Sequence, residues 1–149
     1  MPLPDSIGDV CLARRTRVAA NALTRAYNAY LEPVDLKITQ FFLMAIIHQE
    51  GAMSAAALAE RCDVEHSALL RNVKILERRG LLASDGGRGR AGRHSHLTRK
   101  GLKLLEAAAP LWQQAQQDLD RKLRGQSQRL RCRLRSLESA AHEMERRSD

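Results

Sequence analysis

Most apolar positions of the 149-residue chain recur at helical spacing. Residues 6–31 place Ile7, Cys11, Val18, Ala22, Ala26 and Tyr30 near a period of about 3.6, with Arg14, Arg15, Arg17 and Arg25 between them, so a first amphipathic helix is expected there. Pro33 ends it or follows its end, because the residue before a proline is driven out of helical geometry. Residues 36–50 are almost continuously apolar and predict a buried helix that Gly51 stops. Ser54 is a suitable cap for a short helix over Ala55–Cys62, and a tight connection at Asp63–Val64 leads to another from about Glu65 to Arg79, stopped by Gly80. The period then changes. Leu81–Ser84 and His94–Leu97 are expected as two strands joined through Asp85-Gly86-Gly87. Thr98 can cap a long helix from Arg99 to about Leu123, which Pro110 should kink. The last helix, 126–147, sets Leu130, Leu134, Leu137, Ala141 and Met144 at alternating steps of four and three, a coiled-coil-like seam.

Two short helices joined by a tight turn and followed by a hairpin describe a winged helix-turn-helix. The expected fold is mainly α with a small β-hairpin wing: one domain over 1–149, its winged unit at about 36–98, flanked by N- and C-terminal helices at about 6–31 and 99–147 whose apolar stripes need a partner, within the subunit or from a second copy. The second short helix has two faces. Leu69, Val73 and Leu76 fall at i, i+4, i+7, and Ser67, Arg71, Lys74 and Arg78 lie roughly opposite.

Charge sharpens this picture. The chain is basic, with 25 Lys or Arg against 17 Asp or Glu and a net charge of +8. Residues 71–103 alone carry +8 and the remainder sums to zero, so the excess is expected as one local patch suited to an anionic partner. Arg71 is the best candidate for reading a guanine edge in the major groove. Lys74 and Arg78 are candidate phosphate contacts, and His66 and Ser67 suit either role. Arg88, Arg90 and Arg93 lie among the glycines of the wing loop, where they suit a narrow minor groove.

Other chemistries are weaker. Gly87, Gly89 and Gly92 spell G-x-G-x-x-G, but a polar strand follows instead of a helix and the expected acid is missing, so dinucleotide binding is excluded. No nucleophile–base pair stands out, and no enzyme is expected. Cys62, Asp63 and His66 are too few for a closed zinc site, so neither metal nor cofactor is expected. Three widely spaced cysteines, no membrane-length apolar run and no signal-like start fit a cytoplasmic protein that spans no membrane. A non-specific architectural or RNA-binding protein is the alternative. Against it, residues 65–103 contain no aromatic residue on which a base could stack.

Leu36–Leu43 (LKITQFFL), Ala57–Cys62 (ALAERC), Ser67–Leu82 (SALLRNVKILERRGLL) and Leu97–Leu105 (LTRKGLKLL) together resemble the MarR (multiple-antibiotic-resistance regulator) family of bacterial transcription factors. The resemblance covers roughly 8–145. It implies a homodimer whose terminal helices interlock and whose two recognition helices enter successive major grooves of a pseudo-palindromic operator, about 34 Å apart. It implies a repressor released by a small ligand or an oxidant. The chain departs from the family at the wing tip, where Gly89 and Ala91 replace the usual Asp and Arg, and at Glu65, where a short cap would be better and Asp63 is the substitute. Cys11, with Arg14 and Arg15 one turn away, is the candidate redox sensor. Tyr27, Tyr30 and Trp112 are candidate pocket residues for a small-molecule effector, while Phe41 and Phe42 are expected in the core.

Overall fold

The computed structural model describes residues 7–86 and 92–146. In chain order the elements are α1 (Ile7–Val10), α2 (Leu12–Leu31), a 3-10 turn (Glu32–Val34), α3 (Ile38–Glu50), β1 (Met53–Ser54), α4 (Ala55–Cys62), α5 (His66–Arg78), β2 (Leu82–Asp85), β3 (His94–Leu97), α6 (Arg99–Lys122) and α7 (Ser127–Arg146). The chain divides into two compact units, Met1–Trp112 and Gln113–Asp149, and α6 contributes to both.

The first unit is built around Leu31, Leu36, Leu43, Met44, Leu58, Leu76 and Leu81, all fully buried. Its entry helix differs from expectation. Cys11 takes an extended ψ of 108° and separates a single turn, α1, from α2. Helix α2 is tied to α3 by the Asn28 carboxamide, whose Oδ1 accepts the Ile38 N–H at 2.8 Å. Gln40, itself buried, accepts the Lys37 N–H at 3.1 Å, so the start of α3 is saturated from two sides. Phe41 is buried and stacks on Trp112, with ring centroids 5.8 Å apart. Phe42 corrects the expectation of a core position: at 47% exposed it stands on the other side of α3.

Ser54 caps α4 as expected, its Oγ accepting the Ala57 N–H at 3.2 Å. Asp63 ends α4 and does not cap α5. It adopts φ 50° while its N–H reaches the Glu60 carbonyl and the Val64 N–H reaches the Ala59 carbonyl, a reversal that short Asp side chains tolerate. Helix α5 begins at Glu65 without a side-chain cap. Its far end closes by the same device, with Gly80 at φ 69° and N–H groups of Gly80 and Leu81 bonded to the carbonyls of Glu77 and Leu76. Because Leu81 is consumed in this closure, β2 starts one residue later than the pattern predicts.

The sheet has three antiparallel strands in the order β1-β3-β2. Asp85 faces His94 and Leu82 faces Leu97 in the hairpin. Strand β1 was not legible because two residues give no alternation. Thr98 caps α6, its Oγ1 accepting the Gly101 N–H at 3.0 Å and donating to the Gly80 carbonyl at 2.7 Å. Gly101 sits where the helix meets the hairpin: a Cβ there would lie 2.0 Å from the Leu81 carbonyl oxygen. That oxygen already accepts the Thr98 N–H.

In the second unit, α6 runs on past Pro110 to Lys122 and α7 follows a tight turn. No residue of α7 is buried, and Leu130, Leu134 and Met144 of its seam are 44%, 40% and 71% exposed. Cys132 is exposed. In the first unit, α2 likewise leaves Leu12, Val18 and Leu23 exposed.

Gly101→Ala forces backbone apart at the root of the wing and should destabilise the fold by about 1–3 kcal/mol, the usual range for overpacking. Thermal melts of the two proteins check it, and an equal or higher midpoint for the variant would remove the packing role assigned to Gly101.

Candidate nucleic-acid interface

Helix α5 is oriented by its apolar stripe. Leu69, Val73 and Leu76 are 3%, 6% and 0% exposed, and burying each is worth about 1.5–3 kcal/mol. With that stripe inward, His66, Ser67, Arg71, Lys74 and Arg78 are all exposed, as the opposing faces require. Arg78 Nε donates to the Lys74 carbonyl at 3.3 Å, which lays its side chain along the helix. Among the described residues no carboxylate pairs with Arg71, Lys74 or Arg78.

Not every cation of the 71–103 segment belongs to this face. Arg79 points back into the fold, donating to the Asp35 carbonyl at 2.7 Å and pairing with its carboxylate at 3.2 Å. Lys100 donates to the Arg79 carbonyl at 2.7 Å. These two cations close the end of α5 instead of facing a partner.

Arg93 stands at the root of the wing, 69% exposed. Arg88 and Arg90 lie outside the described residues. Glu77, on α5, accepts a hydrogen bond from the Ser84 hydroxyl and lies 3.9 Å from the Arg93 guanidinium. Ser84 also meets Ser95 across the hairpin at 3.3 Å. On the outer strand pair His96 Nδ1 lies 3.2 Å from the Asp85 carboxylate. Glu77 thus ties the helix to the wing root. Reading α5 by charge alone missed it, because a single acid among cations looks like mere dilution. Its place at i+1 from buried Leu76, pointing toward the hairpin, was the available signal.

Behind α5 lies a cavity of about 370 Å³ between α3, α4 and α5, walled by Phe42, Leu43, Ile46, Val64 and Leu69, with Cys62 and Asn72 among its polar atoms. Burial pushes the Cys62 thiol up from its ordinary pKa; the nearby Arg61 opposes the shift and Glu50 adds to it. Tyr27, Tyr30 and Trp112 do not line this cavity. Tyr27 is buried and Trp112 is engaged with Phe41. Cys11 sits at the start of α2, and Arg14 beside it donates to the Gly8 carbonyl at 3.0 Å. Among the described residues no group of three or more His, Cys, Asp or Glu could hold a metal ion, and no helix is long and apolar enough to cross a membrane.

Comparison with known proteins agrees with this architecture. A helix-turn-helix domain family matches residues 30–85. The uncharacterized HTH-type transcriptional regulator YhbI of Bacillus subtilis is 35% identical over 80 residues, which span 53% of this chain and only 52% of that regulator's length. The crystal structure of the transcriptional regulator MosR of M. tuberculosis superposes with a TM-score of 0.82 at 33% identity, covering 91% of this chain and 98% of MosR. MosR in complex with DNA gives a TM-score of 0.80 at the same identity, over 90% of this chain and 98% of that one. Sco5413 of Streptomyces coelicolor, a MarR family transcriptional regulator, shares the fold at 22% identity, with a TM-score of 0.76 over 91% of this chain and 98% of its own.

Glu77→Gln removes a negative charge beside the exposed cations of α5, so simple electrostatics calls for tighter binding of a polyanion such as duplex DNA. If Glu77 positions Arg93, affinity for duplex DNA should instead fall by about two- to five-fold, the worth of one exposed ion pair. Titration of both proteins at one salt concentration decides, and tighter binding by the variant refutes the positioning role.

Proposed function

The chain belongs to the MarR family of transcription regulators, and on that premise we propose that it binds duplex DNA sequence-specifically as a homodimer and controls transcription in the cytoplasm. The carrying observation is the cationic face of α5, without a carboxylate partner for Arg71, Lys74 or Arg78 among the described residues, held outward by the buried Leu69–Val73–Leu76 stripe beside the wing root. In this reading Arg71 contacts a guanine edge, His66 and Ser67 flank it, Lys74 and Arg78 hold phosphates, and Arg88, Arg90 and Arg93 serve the wing in the minor groove. Crystallisation of MosR with DNA supports DNA as the partner.

The exposed stripes of α2 and α7 support self-association, because isolated apolar seams of this length are normally covered. Two copies related by a twofold axis then present α5 to successive major grooves of a pseudo-palindromic operator. The protein acts as a repressor that a small ligand or an oxidant releases. The cavity behind α5 favours ligand control, since Leu69 and Asn72 of the helix that carries Arg71 form part of its wall. Tyr27, Tyr30 and Trp112 remain candidates for a second ligand wall; the Trp112 indole N–H has no acceptor among the described residues. Cys11 is the candidate for oxidant control.

Two measurements test this reading. Arg71→Ala should weaken operator binding by about 1–3 kcal/mol and relax one base position, whereas Lys74→Ala should weaken operator and random duplex alike. Equal losses on both duplexes for Arg71→Ala would contradict base reading. For the oxidant arm, peroxide should dissociate the complex of the parent protein but spare that of Cys11→Ser; equal release from both excludes Cys11.

A further inference from the structure

Helix α3 is apolar on two sides. Phe41, Met44 and Ile47 are buried in the core. Thr39, Phe42, Leu43 and Ile46 fall at i, i+3, i+4 and i+7 and form a second stripe, turned toward α4 and α5. The helix pair leaves space in front of this stripe. Asp63 reverses the chain between α4 and α5 at φ 50°, and the side chains that flank the reversal on the α3 side, Cys62 and Ala68, are small. The result is the cavity of about 370 Å³, with Leu43 and Leu69 buried at its floor and Phe42 and Val64, 47% and 42% exposed, at its mouth. All of its walls lie within the first unit, and none belongs to the exposed stripes of α2 and α7, so self-association through those stripes does not use it.

The walls set the chemistry of an occupant. The volume stands at the small end of the range for ligand sites, about 300–1,000 Å³, and most of the lining is hydrocarbon. Arg61 is the charged side chain of the wall, and its Nε is engaged by Glu50 Oε1 at 2.7 Å. The Cys62 thiol, pushed up by burial, stays protonated at neutral pH. An ion entering here gives up hydration and meets no counter-charge that is not already engaged, so a charged occupant is disfavoured.

One polar group distinguishes among neutral occupants. Asn72 lines the cavity, and its Nδ2 donates to the Ala68 carbonyl one turn back on α5, at 3.3 Å. That bond fixes which way the carboxamide is turned and leaves Oδ1, an acceptor, for an occupant. The Thr39 hydroxyl is exposed to water at the rim.

We propose that the α3–α4–α5 cavity binds an uncharged, mainly apolar small molecule carrying a hydroxyl or N–H donor, with Asn72 Oδ1 accepting its hydrogen bond. The assignment deepens the ligand-control reading and rests on it for regulation, because Ala68, Leu69 and Asn72 belong to the helix that carries Arg71.

The test uses the full-length protein without DNA and isothermal titration calorimetry at neutral pH. The probes are 2-naphthol, its methyl ether 2-methoxynaphthalene, and 2-naphthoate. 2-Naphthol should bind saturably, at least about tenfold tighter than 2-naphthoate and about three- to tenfold tighter than the ether. In Asn72→Leu the advantage of the alcohol over the ether should vanish while both still bind. Filling the space, by Ala68→Leu from α5 or Cys62→Met from α4, should abolish binding in proteins that still melt cooperatively. Preference for 2-naphthoate overturns the uncharged class and gives Arg61 to an anion. Undiminished binding in both filled variants overturns the site. An alcohol advantage that persists in Asn72→Leu overturns the hydrogen bond assigned to Asn72. If either filled variant turns a dimeric parent monomeric, a second copy occupies the space and the small-molecule assignment is wrong. Duplex titration is separate: 2-naphthol bound as expected without changing duplex affinity contradicts ligand control and upholds the occupant, and a parent protein that binds the probe but no duplex contradicts the DNA reading alone.

Discussion

Burial of Leu69, Val73 and Leu76 is the constraint on which the rest of the molecule depends. A helix has one rotation about its axis that hides a given stripe, and choosing it assigns every other side chain a direction. Ser67, Arg71, Lys74 and Arg78 are exposed because those three apolar residues are not. A polar substitution within the stripe would cost stability and would also turn or loosen the cationic face. Fold and recognition thus share one packing interaction.

The contacts around α5 show how its ends are kept in place. Arg79 and Lys100 use cationic side chains to lock the helix end against Asp35 and its own carbonyl, and Glu77 reaches the hairpin through Ser84. The basic segment therefore divides into cations engaged within the fold and cations left exposed on α5. Counting charges along the chain does not separate these groups; the direction of each side chain does. The missing Asp–Arg pair at the wing tip has a counterpart at the wing root, where Glu77 and Arg93 approach each other from different elements.

Much of this was legible in the residues because the signals were local. The Ser54 and Thr98 caps, the stops at Gly51 and Gly80, and the opposed faces of α5 each rest on spacing over a few positions, and each is found in place. What escaped depends on distant partners. Strand β1 exists only through its pairing with β3. Phe42 was assigned to the core because α3 is apolar all round, which gives no rotation to choose; packing turned Phe41 inward and Phe42 toward the cavity. The break at Cys11 left the helical spacing of its neighbours intact and so gave no sign.

Exposed seams on α2 and α7 fit a twofold assembly in which two α5 helices address one duplex. The proposed recognition requires both helices to occupy the major groove, where guanine N7 is the acceptor proposed for Arg71. Methylation interference on a selected operator measures this directly. The expected result is two patches of blocked guanines, their centres about 34 Å apart along the duplex axis, as two recognition helices in successive major grooves require. Binding that is indifferent to N7 methylation, or blocked at one patch alone, would contradict it.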